Sequence, residues 1–155
     1  MPMTQTILLV EDDENDVRFM KMAMHDAAIS NPLQVASHGR QALEYLEGAG
    51  KYADREAYPL PCLILLDLKL PYVPGLEVLK SIRQDPRLKQ TIVIVLTSSQ
   101  EQSDIDRAYS LGANAFIAKP SNIQVLHKLA RAIHDFWLAF NASSVSVPDK
   151  LTQEA

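Results

Sequence analysis

ILLVEDDEND, residues 7–16, decides the fold: the apolar run Ile7, Leu8, Leu9, Val10 passes directly into a turn with five acids in six residues. The run is aliphatic and does not alternate, the pattern of a strand buried on both faces inside a parallel sheet. Working outward, the same arrangement recurs. Leu63–Leu66 runs into Asp67, Ile92–Leu96 into Thr97 and Ser98, and Ala115–Ala118 into Lys119 and Pro120. A weaker fifth strand candidate is Leu33–Ser37. Between these runs the apolar residues take helical spacing: Val17, Met20, Met24 and Ala27, then Ala42, Leu43 and Leu46, then Leu76, Leu79 and Ile82. Alternating strands and helices predict an α/β fold, a doubly wound parallel sheet with helices on both faces and right-handed crossovers.

The punctuation fits. Pro32 precedes the second strand, Gly39 follows it, and Asp85-Pro86 closes the third helix. Gly112 stands where a helix C-terminal glycine belongs, and Ser121 is the expected N-cap of the last helix. Gly48 to Pro61 is a long connection, read as a surface insertion. From Asn141 onward the sequence is polar and aperiodic, so residues 141–155 are expected to form a flexible tail behind a domain spanning 1–140.

Composition bounds the function. The 155 residues fit one domain, and a 47% apolar, 22% charged composition is that of a globular chain. Fifteen basic and 19 acidic residues give −4, which argues against a general affinity for DNA or an anionic membrane. A single cysteine, Cys62, excludes an internal disulfide and reads as a small buried hydrophobe. No apolar run approaches a membrane span and MPMTQT lacks signal-peptide character, so a cytoplasmic location is expected.

In open parallel sheets ligands gather at the carboxyl ends of the strands. Here those ends carry Glu11, Asp12 and Asp13, then Asp67, then Thr97 and Ser98, then Lys119. Each residue alone has a local explanation, and for Asp13 capping the following helix is the preferred one. Taken together, four strand ends favour a site. Carboxylates held close need a cation, and Mg2+ takes oxygen ligands from one or two carboxylates with waters. Asp12 and Asp67 would ligate directly, Glu11 through water, and the carbonyl of Lys69 is a further candidate. Asp67 is also a candidate nucleophile for phosphoryl groups, with Lys119 and Thr97 positioned to steady the charge. A nicotinamide site would need GxGxxG where EDDEND stands. A haloacid-dehalogenase-type phosphatase would need an acid where Lys69 stands.

These segments, ILLVEDDE at 7–14, LILLDLKLP at 63–71, IVLTSS at 94–99 and NAFIAKP at 114–120, resemble the receiver domain of two-component response regulators over about Thr6 to Phe140. The resemblance implies a flavodoxin-like sheet of five parallel strands, order 2-1-3-4-5, with five helices. It further implies that Asp67 is the phosphoacceptor and modification site, Glu11 and Asp12 the acidic pair, and Mg2+ the cofactor. Thr97 and Lys119 would bind the phosphoryl oxygens, Thr97 and Phe116 would form the switch, and Lys119-Pro120 would be a cis peptide. GAGKYADREAYPLP, QDPRLKQ and HDFWLAF are further similar to the cyanobacterial phytochrome response regulators, which implies a phytochrome-type sensor histidine kinase as partner. Such a chain is a phosphoacceptor rather than an enzyme. The alternatives are a phosphorylation-independent binding module on the same fold and a relay shuttle serving another kinase.

The output has to leave through a surface. A helix from Ser121 to Phe140, at about 1.5 Å per residue, would be roughly 30 Å long and overhang a strand of about 17 Å. Its end carries Ile133, Phe136, Trp137 and Phe140 at helical spacing. As an ordinary apolar helix stripe these residues would cover the domain's own core. As an aromatic cluster beyond the sheet they would form an interface, expected as a homodimer built on the fourth helix, fifth strand and last helix.

Overall fold

Five strands, each running parallel to its neighbours, form one sheet in the order β2-β1-β3-β4-β5 in the computed structural model, which describes residues 5–140. The strands are β1 Ile7–Val10, β2 Leu33–Ala36, β3 Leu63–Leu66, β4 Ile92–Thr97 and β5 Ala115–Ala118. The helices are α1 Glu14–Asp26, α2 Gly39–Glu47, α3 Gly75–Gln84, α4 Gln102–Ser110 and α5 Ile123–Ile133. Fold class, strand order and helix count match the expectation. The expected tail, 141–155, lies outside the described residues.

β1, β3 and β4 are buried along their whole length, which is why their sequences do not alternate. Successive side chains still serve opposite faces. Leu8, Val10, Ile64, Leu66 and Val93 pack with Tyr45 and Leu46 of α2 and Val78, Leu79 and Ile82 of α3. Ile7, Leu9, Leu63, Leu65 and Ile94 pack with Met20 and Met24 of α1 and Leu126, Ala130 and Ile133 of α5. The register aligns Val10, Leu66 and Val95 across the sheet, so the residues following these strands emerge at one edge.

Local chemistry sets the boundaries. The Asp13 carboxylate accepts from the amides of Asn15 and Asp16, capping α1 as expected. Gly112 takes a left-handed φ of 101° after α4. The last helix is capped by Asn122, not Ser121: the Asn122 side chain accepts from Gln124 and Val125. An unexpected cap is His38, whose Nδ1 accepts from the Gln41 amide at 3.0 Å.

The connection after α2 is more than a surface insertion. It contains a 3-10 turn, Gly50–Ala53, which buries Tyr52 against Tyr45, while Tyr58 stands edge-on to both. Arg55 donates to the carbonyls of Tyr45 and Leu46 in the last turn of α2 and to that of Tyr58, tying the connection to the helix end. Burial pushes the Tyr45 phenol up to about 12.

The C-terminal helix also departs from expectation. After Ile133 it widens into a π-helix, His134–Phe140. Its i→i+5 bonding rotates each residue further back than an α-turn does, so the expected stripe divides. Ile133 is buried in the domain's own core, Trp137 is half-buried on that core, and Phe136 is 59% exposed with its ring edge-on to Trp137. The Phe140 side chain lies outside the described residues.

Candidate functional site

The four strand ends meet at one edge of the sheet. β1 delivers Glu11 and Asp12, β3 delivers Asp67, β4 ends in Thr97, and Lys119 follows β5. Glu11, Asp67 and Thr97 are buried, and Asp12 is exposed. Backbone bonds set them in place: the Asp67 amide donates to Val10 and the Lys119 amide to Thr97. The Lys119 ammonium donates to Asp67 Oδ2 at 2.9 Å, to Asp16 Oδ2 at 2.9 Å and to Glu11 Oε1. The other oxygen of Asp67, Oδ1, accepts from the Lys69 amide at 3.3 Å. The Lys119–Pro120 peptide is trans, not cis as expected. Trans is the intrinsically preferred isomer of an X–Pro bond, and the ammonium reaches all three carboxylates with it.

The charges are unequal. Burial, reinforced by the neighbouring Asp67, pushes Glu11 up to about 8. Burial also opposes the charge of Asp67, but hydrogen bonds from Glu11, Lys119 and Thr97 outweigh it and hold its carboxyl below the usual range. Burial alone would lower Lys119, yet Asp67, Glu11 and Asp16 together hold it above its ordinary value. A buried carboxylate kept ionised beside an ammonium and a hydroxyl is a poised oxygen nucleophile.

Glu11, Asp12 and Asp67 present carboxylate oxygens within 4.8 Å of one another, the one such grouping among the described residues. All are hard oxygen donors, and exposed Asp12 leaves one side open to water. The donor set fits a divalent cation of the Mg2+ or Mn2+ kind, and such an ion would relieve the repulsion that now favours a proton on Glu11.

Two contributors, Asp16 and Gly75, were missed in the sequence. Asp16 lies in the same acidic stretch as Asp12, but its partner Lys119 is 103 residues away. Gly75 opens α3 so close to the end of β3 that a Cβ there would stand 2.1 Å from the Asp67 carbonyl oxygen. The signal was the Pro74-Gly75 pair shortly after the third strand. Ser99 is buried, donates to Asp104 of α4 at 2.5 Å, and gives its amide to Thr97 Oγ1 at 3.4 Å. Phe116 is half-buried against Leu68, Val95 and Ala108.

The response regulator receiver domain model matches residues 7–131. The chain belongs to that family. Among curated relatives, this receiver is 39% identical over 134 residues to the response regulator Rcp1 of Synechocystis sp., covering 86% of this chain and 89% of that one. Among solved structures it is similar to the phosphorylated cyanobacterial phytochrome response regulator RcpA, with a TM-score of 0.84 at 35% identity, covering 91% of this chain and 99% of the other. It is also similar to the Mn2+-bound form of Rcp1, with a TM-score of 0.81 at 37% identity, covering 91% and 99%. The resemblance to single-domain phytochrome response regulators therefore holds. In this receiver no helix among the described residues is long and apolar enough to cross a membrane.

Proposed function

We propose that this receiver is a phosphoacceptor that takes a phosphoryl group onto Asp67 from a sensor histidine kinase of the phytochrome type. One observation carries the reading: the buried, ionised Asp67 carboxylate sits 2.9 Å from the Lys119 ammonium and within 4.8 Å of the Glu11 and Asp12 carboxylates. In the transfer, an Asp67 oxygen attacks phosphorus, the N–P bond of the phosphohistidine breaks, and the electron pair leaves with the imidazole nitrogen. Lys119 and Thr97 meet the phosphoryl oxygens without changing protonation. Mg2+, held by Glu11, Asp12, Asp67 and the Lys69 carbonyl, would offset the phosphoryl charge. Hydrolysis by water returns phosphate and the free carboxylate, so the chain is a phosphoacceptor rather than a classical enzyme.

The switch follows from the same groups. When Thr97 turns towards the new phosphoryl oxygens, it opens space beside Phe116, and the face formed by α4, β5 and α5 changes. Phe136 and Trp137 border that face and support a homodimer, to which Phe140 is assigned on sequence alone; Ile133, being buried, supports the helix from beneath. We assign residues 1–140 to the receiver and 141–155 to a tail, and place the protein in the cytoplasm with no DNA partner.

Labelling with radioactive acetyl phosphate and Mg2+ tests the acceptor. Wild type is expected to label and Asp67→Asn to lose all label; equal labelling of the two would refute the assignment. Transfer profiling against sensor kinases tests the partner, and sedimentation with and without phosphorylation tests the dimer.

A further inference from the structure

We propose that Asp16 is a brake on phosphorylation, a positioning residue whose carboxylate occupies the Lys119 N–H that an incoming phosphoryl oxygen takes. The inference rests on Asp67 being the acceptor. An ammonium has three donors and no acceptor. All three are spent here, on Glu11, Asp16 and Asp67. A phosphoryl oxygen can be held only if one partner lets go.

The three partners differ in what release costs. The side chains of Glu11 and Asp67 are 4% and 6% exposed, whereas that of Asp16 is 40% exposed. A carboxylate released into water is re-solvated at once, and one released in the interior is not. Asp16 is therefore the partner that Lys119 exchanges. Its position supports this. With Phe19, Lys119 and Pro120 it lines a cavity of about 50 Å³ that also contains Asp67. The Asp13 cap, which accepts from the Asp16 amide at 3.2 Å, fixes its backbone beside the lysine. From there the Asp16 charge opposes an anionic phosphodonor twice, by repelling it and by competing for the ammonium.

The step itself balances without Asp16. An Asp67 oxygen attacks the phosphorus of acetyl phosphate, the bond to the acetyl oxygen breaks, and acetate leaves with the electron pair. Lys119 keeps its protons and exchanges the Asp16 carboxylate for a phosphoryl oxygen. The bland account of Asp16 is an acid in the first turn of α1 that complements the helix dipole. That account has removal of the charge leave labelling unchanged or slower.

The test uses the full chain at saturating Mg2+, comparing acetyl phosphate labelling rates of wild type, Asp16→Asn, Asp16→Ser and Asp16→Glu. Both neutral variants are expected to label about two- to fivefold faster, the scale of a part-exposed ion pair. Asp16→Glu restores the anion and is expected to stay near the wild-type rate. Beryllofluoride, a non-covalent phosphoryl mimic, is expected to bind the neutral variants tighter by a similar factor. Neutral variants that melt like wild type yet label no faster overturn the brake. Wild type that takes no label, or label that survives in Asp67→Asn, overturns the acceptor reading instead.

Discussion

α1 and α4 flank the same carboxylate site and are held by different forces. α1 buries Met20, Ala23 and Met24 against β1, β3 and α5, a broad apolar contact. α4 buries only Ala108, and polar tethers hold both its ends. At the start Ser99 donates to Asp104, and at the finish the Tyr109 hydroxyl accepts from the Phe116 amide at 3.1 Å, closing an outward N–H of the edge strand β5. Apolar burial contributes about 25 cal/mol per Å² and resists displacement everywhere at once. A hydrogen bond contributes roughly 0.5–1.5 kcal/mol and can be exchanged singly. The half of the molecule that carries Glu11, Asp12 and Asp67 is therefore rigid. The half that carries Thr97 and Phe116 is free to change partners, and its two tethers end on, or next to, those residues.

The largest expected effect contrasts the two helices directly. Met20→Ala on α1 is expected to cost about 2–5 kcal/mol, as core truncations do. Ala108→Gly on α4 is expected to cost roughly 1 kcal/mol. Urea denaturation measures both, and equal losses would break the comparison.

An intermediate effect comes from Glu11 in the rigid half. Its folded pKa is raised to about 8 from 4.5. The stability it lends is complete below 4.5 and is lost as pH rises through about 8. Asp67 is shifted down and Lys119 up, so their contributions stay constant over that window. In chelator, the melting temperature is expected to fall between about pH 5 and 8, and Glu11→Gln to flatten that slope. A rise over the same range would contradict the arrangement of charges. Saturating Mg2+ is expected to weaken the slope, because a cation favours the ionised form.

The smallest effect lies in the tethers. Tyr109→Phe removes only a hydroxyl and is expected to cost at most about 1 kcal/mol. Its local mark is sharper: amide exchange at Phe116 should accelerate while that of Leu65 on β3 stays slow. Unchanged exchange at Phe116 would mean that α4 is not tied to the edge strand through Tyr109.

Much of this molecule was legible one residue at a time. Strands buried on both faces leave apolar runs, and polar residues following such runs fall at the sheet edge, so Glu11, Asp12, Asp67, Thr97 and Lys119 were identifiable before any contact was known. Other features depend on neighbours that no local pattern specifies. Asn122 rather than Ser121 caps α5 because of where the first amides of the helix point. Ile133 and Phe136 part company because a π-turn resets the helical period between them. Gly75 is required by a backbone oxygen eight residues earlier in the chain, and the Gly48–Pro61 connection is ordered by Arg55 and by Tyr52 and Tyr58, which stack on Tyr45 of α2.

The sequence by itself determined the strand runs, the helical periods and the acids and lysine at the strand ends, because these depend on local pattern and on a side chain's place along its own element. Only the tertiary structure decided which charges meet. Lys119 reaches Asp16 because α1 and the segment after β5 converge at the carboxyl edge of the sheet, although more than a hundred residues separate them. Spacing in the chain carries no record of that distance, and burial, which makes one partner exchangeable and two fixed, exists only once the elements have packed.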